Sequence, residues 1–153
     1  MDKADRLILR AVQAESSRSL AELSELVGVS HSACHRRVRA LEEQGVITGY
    51  MAKLDPSKLG LGLNAFVEIS LNSQSREAMD VFEEAVRRFD DVLECHLMSG
   101  AADYILRIAA SGIEDYDRIH RNCLSRLPGV SAMRSSFAIR RIKDWAGYPV
   151  AVA

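Results

Sequence analysis

The chain has 153 residues, 48% of them hydrophobic and 27% charged, with a formal net charge of −1. That balance describes a folded globular protein of one large domain or two small ones, and it excludes a disordered or fibrous chain. No apolar run approaches the length of a membrane span, and the opening Met1-Asp2-Lys3-Ala4-Asp5 lacks the basic-then-apolar order of a secretory signal. The expected location is therefore the cytoplasm, with no membrane partner. Three cysteines, Cys34, Cys95 and Cys123, show no paired spacing and read as reduced thiols.

Net charge alone does not announce a nucleic-acid partner. Residues 1–60 hold 9 Lys+Arg against 8 Asp+Glu, and residues 61–153 hold 11 against 13. Local patterning is more informative, because between Gly28 and Leu41 stand Arg36, Arg37 and Arg39 without a carboxylate.

A first helix is predicted from about Lys3 to Gln13, with Asp2 as its N-cap and Ala4, Leu7, Ile8 and Ala11 on one face. A second starts at Ser19, where Glu22 three residues on completes a capping box and Leu20, Leu23 and Val27 form the inner face. Gly28 supplies the left-handed residue that ends it. Ser30 then caps a third helix that runs to Gln44 and stops at Gly45. The two short helices joined at Gly28 make a helix-turn-helix over residues 20–44.

On a helical wheel Cys34, Val38 and Leu41 of the third helix point inward, whereas Ser32, Arg36 and Arg39 point outward with Ala33 and His35 on the flanks. Small side chains at the helix start permit close approach to base edges, and arginines reach guanine edges or phosphates. The candidate DNA contacts are Ser30, His31, Ser32, Ala33, His35, Arg36 and Arg39, with Ser19 at the start of the preceding helix. His31 and the amides near Ser30 lie where a helix N-terminus holds a phosphate. A solvated basic face is the plainer alternative, but the capping box, glycine turn and segregated charge together favour double-stranded DNA. His31, Cys34 and His35 also have a spacing that zinc could use, but Cys34 turns into the core and no fourth ligand is near, so no metal site is expected.

Val46 to Leu54 forms two short extended runs around Gly49 and is expected to be a wing over residues 46–54. Asp55-Pro56 and Gly60-Leu61-Gly62 mark a boundary, placing the first domain at residues 2–62 and the second at 63–143, with a loosely held tail at 144–153.

In the second domain, Ala65, Val67, Ile69 and Leu71 alternate with Phe66, Glu68 and Ser70 as a strand does. Ser75 caps a helix with a stripe of Ala78, Val81, Phe82, Ala85 and Phe89. Val92 to Ser99 and Tyr104 to Ala109 form a hairpin about Gly100-Ala101-Ala102. Ile113, Tyr116, Ile119, Cys123, Leu124 and Leu127 mark a second helix ended by Pro128-Gly129, and Val130 to Ile142 is mostly strand. The fold class is α+β: an N-terminal winged helix-turn-helix followed by a ferredoxin-like βαββαβ domain. A sheet with helices on one face needs cover on the other, so a homodimer or a multiple of dimers is expected.

Adjacent strand residues Cys95 and His96 point to opposite faces, which removes a thiol-imidazole pair, and nothing else resembles a catalytic constellation; the chain is not expected to be an enzyme.

The chain resembles the Lrp/AsnC, or feast/famine, family of bacterial and archaeal transcription regulators. The resemblance runs from Asp2 through Ile142 and rests on Leu23-Ser24 to Val29-Ser30, Arg37-Val38-Arg39-Ala40-Leu41-Glu42 with Gly45-Val46-Ile47-Thr48-Gly49-Tyr50, Glu94-Cys95-His96-Leu97-Met98-Ser99-Gly100, and Leu127-Pro128-Gly129-Val130. It implies regulation of amino-acid or related metabolism, no cofactor but a small effector, usually an amino acid, bound at the oligomer interface, and dimers that often form octamers as tetramers of dimers.

It further implies an effector site near the hairpin turn, comprising Met98, Ser99, Gly100, Ala101, Ala102, Asp103 and Tyr104, with Ser136. The family motif Gly-Asp-aromatic-Asp-Tyr appears here as Gly100-Ala101-Ala102-Asp103-Tyr104, so one acid and the aromatic are missing. Asp103 is the expected acceptor for an α-ammonium group, and Ser99 with the amides near Gly100 for a carboxylate. Gly100 also suits the turn itself. A largely effector-independent architectural protein that wraps DNA is the alternative.

Overall fold

The computed structural model describes residues 1–152. It divides into two compact units, one of residues 1–54 with 142–152 and the other of residues 55–141.

In the N-terminal unit, α1 (Lys3–Ala14), α2 (Leu20–Val27) and α3 (His31–Glu43) enclose a core of Ile8, Leu9, Ala11, Leu23, Cys34, Val38 and Leu41. Each helix start is fixed by its own sequence. Asp2 and Asp5 form a reciprocal capping box on α1, Ser19 and Glu22 form another on α2, and the Ser30 hydroxyl accepts from the Ala33 amide. These bonds satisfy amides that a helix start otherwise leaves bare. Gly28 adopts φ 73°, and its amide donates to the Ser24 carbonyl, so the turn between α2 and α3 closes without a Cβ penalty.

Arg37 departs from the other two arginines of α3. Its Nη1 lies 2.8 Å from carboxylate oxygens of both Asp2 and Asp5, so this cation joins α3 to the start of α1. The basic stretch read from the sequence thus contains one structural arginine. The two extended runs expected in residues 46–54 form no strand ladder here, and Tyr50 donates its hydroxyl to Glu42. With only two short runs and a glycine, this segment cannot offer the several paired residues that hold a hairpin together.

The tail is not loose. The Gln13 side-chain amide donates to the Tyr148 carbonyl and accepts from the Tyr148 amide, Arg6 donates to the Ala151 carbonyl, and Val150 joins the helical core. The three hydrogen bonds run between α1 side chains and the tail's backbone, which the periodicity of the tail's own side chains does not reveal. Ala153 lies outside the described residues.

The second unit contains β1 (Leu63–Leu71), α4 (Arg76–Val86), β2 (Val92–Leu97), β3 (Tyr104–Ala110), α5 (Ile113–Asn122) and β4 (Val130–Phe137). All neighbours are antiparallel in the order β2-β3-β1-β4, which is the ferredoxin-like arrangement. Ala65, Val67, Ile69 and Leu71 of β1 meet Tyr104, Leu106, Ile108 and Ala110 of β3 on the covered face, together with Phe82 of α4 and Ile119 of α5.

Several element ends differ from the sequence reading. β2 stops at Leu97 because β3 begins opposite it at Tyr104. β4 stops at Phe137 because its antiparallel partner β1 has reached its own start, and one last bond joins the Ala138 amide to Asn64. α4 ends at Val86, and Val81 is exposed, since the inward stripe is Met79, Phe82, Ala85 and Val86. α5 ends at Asn122 and gives way to a short 3-10 turn, Leu124–Arg126. Among the described residues no helix is long and apolar enough to cross a membrane.

Asp103 ties the hairpin end of the sheet together. One carboxylate oxygen accepts from the Leu71 amide and the other from the Gln74 side chain, each at 2.7 Å, while its backbone bonds Ile69 and Met98.

Two stability outcomes are expected. Asp103→Ala leaves the half-buried Leu71 amide without its acceptor and should cost about 1–3 kcal/mol in chemical denaturation; an unchanged midpoint would exclude the tie. Arg37→Met should lower the thermal midpoint of the N-terminal unit. The Asp2 carboxyl is held below its ordinary value by the Asp5 amide and then by Arg37. Its contribution is therefore present at neutral pH and lost as acidification carries the solution below that lowered value. The difference between wild type and Arg37→Met should shrink in that acid range.

Candidate functional site

The outward face of α3 is the first candidate. Ser32, His35, Arg36 and Arg39 are all exposed, Ala33 is half-buried, and Cys34, Val38 and Leu41 anchor the opposite side. Arg36 has no ion-pair partner among the described residues. Arg39 lies 3.9 Å from Glu42, whose other carboxylate oxygen accepts from Tyr50, so this contact is a weak restraint. No acid stands in the first turn of α3. Its N-terminus keeps its partial positive charge, and Ser30, His31 and Ser32 surround it.

Two predicted members face other tasks in the free chain. The Ser19 hydroxyl donates to Glu22, and the Ser30 hydroxyl lies 3.3 Å from that of Ser32 besides capping the helix. Arg37, which the sequence grouped with its neighbours, is withdrawn into the Asp2–Asp5 clamp. Cys34 is fully buried while His31 and His35 are exposed, so the three do not converge. Among the described residues no cluster of three or more His, Cys, Asp or Glu could hold a metal.

The second candidate is a cavity of about 370 Å³ at the hairpin end of the sheet's uncovered face. That volume is in the range of small-ligand sites. Of the residues named from the sequence for the effector, Met98, Gly100, Ala101, Ala102 and Tyr104 line it. Ser99, Asp103 and Ser136 are not among its lining residues. Ser99 is exposed, and both carboxylate oxygens of Asp103 serve the internal tie. Ser136 stands opposite Phe66, farther along β4.

The structure adds lining residues that the sequence did not single out: Glu68 and Ser70 of β1, Ile105 of β3, and Ala132, Met133 and Arg134 of β4. Glu68 and Arg134 pair across the strands, with Arg134 Nε 2.7 Å and Nη2 2.5 Å from one Glu68 oxygen. The alternation of β1 placed Glu68 on the outer face, but only the strand register brings Arg134 opposite it.

On the same face Arg107 and His96 contact Glu94, whereas Cys95 turns into the core, where burial pushes its thiol up to about 11. The two neighbours in β2 are thus separated by the sheet.

Residues 1–48 match the model for winged helix-turn-helix DNA-binding domains, and residues 64–147 match that for the Lrp/AsnC ligand binding domain. The leucine-responsive regulatory protein of Escherichia coli is 39% identical over 144 residues, covering 94% of this chain and 88% of its own. A transcriptional regulator of Neisseria meningitidis, solved in complex with L-methionine, superposes with a TM-score of 0.92 at 33% identity, over 97% of this chain and 96% of that one. An AsnC family regulator from Agrobacterium tumefaciens has the same TM-score at 37% identity, over 97% of both chains. With a DNA-binding helix-turn-helix before a ligand-binding sheet domain, the chain belongs to the Lrp/AsnC family of transcriptional regulators.

Proposed function

We propose that this regulator answers to a free amino acid and acts as an assembly of identical chains in the cytoplasm, with no catalytic activity of its own. The observation that carries the DNA end is the outward face of α3, where Arg36 and Arg39 stand beside an acid-free helix start. Support for the effector comes from the cavity between Glu68, Met98, Ala102 and Arg134, and from the L-methionine complex of the Neisseria meningitidis relative. The genes it controls would then belong to amino-acid or related metabolism.

Assembly follows from the uncovered sheet face. Phe66, Ile105 and Ala132 offer apolar contact between the Glu68–Arg134 and Glu94–Arg107 pairs. A two-fold partner presents the same surface in reverse, so each apolar patch meets its copy and each charge can meet its opposite. The expected unit is a homodimer, with an octamer built from four of them. Two α3 helices can then read two half-sites.

Arg36→Ala and Arg39→Ala should each weaken binding to a DNA fragment selected by the wild-type protein by about tenfold, the range for one lost base or phosphate contact. Gel-shift titration over a series of salt concentrations separates the two kinds: loss of a phosphate contact lowers the slope against log salt by about one. Wild-type affinity in both variants would remove this face from DNA. For assembly, light scattering should return an even multiple of 16.9 kDa, and a monomer at micromolar concentration would overturn the covered-face reading.

A further inference from the structure

The chain crosses between its two compact units twice, after Leu54 and again after Arg141. A DNA-binding unit carried on a single linker needs only the first crossing. The second returns residues 142–152 to the helical unit, where α1 holds a side chain that receives them. Gln13 Nε2 donates to the Tyr148 carbonyl at 3.1 Å, and Gln13 Oε1 accepts from the Tyr148 amide at 2.7 Å. One side chain thus does for Tyr148 what a neighbouring strand does for a ladder residue, satisfying donor and acceptor together. Pro149 favours the extended backbone at Tyr148 that turns both groups the same way. Arg6 Nη1 reaches the Ala151 carbonyl at 3.0 Å, and between these ties Val150 packs against the helical core.

Gly147 shows that the fit is specific. Its φ is 94°, a conformation that favours glycine, and a Cβ there would stand 2.5 Å from Gln13 Oε1 and 2.8 Å from Gln13 Cδ. A larger residue at 147 would push the Gln13 amide aside and break both of its bonds to Tyr148. A tail that merely lay on the surface would place no such demand on its sequence.

Three hydrogen bonds and one half-buried valine are each of modest net worth, so this attachment opens and closes while the rest of the unit stays folded. Closed, it gives the DNA-binding unit two connections to the sheet domain; open, it leaves one. A doubly connected body has fewer orientations open to it, because the second connection must also span its own fixed distance.

We infer that the C-terminal tail is a clasp that sets the orientation of the DNA-binding unit, with Gln13 and Gly147 as its positioning residues. Closed, the clasp restricts a pair of recognition helices to one separation of half-sites. Open, it lets them accept several. The clasp acts through α1 and leaves the outward face of α3 unchanged. This inference rests on the reading of the protein as an assembly of identical chains.

Trp145, the chain's one tryptophan, lies edge-on to Tyr148 with ring centroids 5.0 Å apart, so its fluorescence reports on the clasp. In time-resolved anisotropy of the full-length protein, Trp145 should turn with the whole wild-type assembly and gain a nanosecond motion in Gln13→Ala and in Gly147→Val. Gel-shift titration reads the consequence, using two copies of a half-site selected by the wild type and set apart in single-base-pair steps across one helical turn, about 10 base pairs. The wild type should prefer its best separation over the one half a turn away by about tenfold or more, and the two variants by less than about threefold, with affinity for one isolated half-site unchanged. Wild-type anisotropy in both variants would mean that Gln13 and Gly147 hold nothing. A freed Trp145 with an unaltered separation profile would remove the tail from DNA recognition, and weaker binding of an isolated half-site by both variants would assign it to folding of the helix-turn-helix. Each of these three results overturns the clasp and leaves the assembly reading intact. A monomer in light scattering would sink the two together.

Discussion

Both helices of the ligand-binding unit lie on one face of a four-stranded sheet, and that constraint governs most of what the unit can do. The covered face is filled by Val67, Ile69, Phe82, Leu106, Ile108 and Ile119, all essentially without solvent contact. In the assembly proposed above, the uncovered face must be tolerable to water before association and cohesive after it. Its composition answers both demands: Phe66 and Ile105 give apolar area, while Glu68–Arg134 and Glu94–Arg107 neutralise one another in place. A wholly apolar face would associate with other apolar surfaces as readily as with a matching copy. Interleaved charge pairs restrict association to partners that match them.

In the N-terminal unit three neighbouring arginines of one helix are divided by geometry. One turn of α3 places Arg36 and Arg39 toward solvent and Arg37 toward α1, where two carboxylates wait. The clamp keeps α3 at a fixed angle to α1 through polar contact at the rim, while Ile8, Cys34 and Leu41 fix it through the core. Reading DNA requires this rigidity, because base contacts reward a helix only if it arrives already oriented. Arg37 is therefore a positioning residue, although it stands in the same basic stretch as Arg36 and Arg39.

Much of this was legible in the chain. Period-two alternation from Ala65 to Leu71 fixed β1 and its two faces, and the Ser19–Glu22, Ser30 and Ser75 caps fixed three helix starts, because these signals act between residues close in sequence. What escaped notice depends on partners far apart. The Arg37 clamp spans more than thirty positions, the Gln13–Tyr148 bonds more than a hundred, and the Glu68–Arg134 pair sixty-six. Asp103 shows the same limit from the other side. Its place in a family motif suggested a ligand contact, but its carboxylate is committed to Leu71 and Gln74, a commitment visible only once β1 and β3 lie side by side.

That commitment explains how the turn tolerates Ala101 and Ala102. A second acid or an aromatic ring in the hairpin adds polar or stacking contacts, but the position of the hairpin relies on neither. Four bonds from Asp103, two from its carboxylate and two from its backbone, fix the turn to the ends of β1 and β2 and to the loop before α4. With the scaffold secured by one residue, the two positions before it are free to change size without loss of the fold.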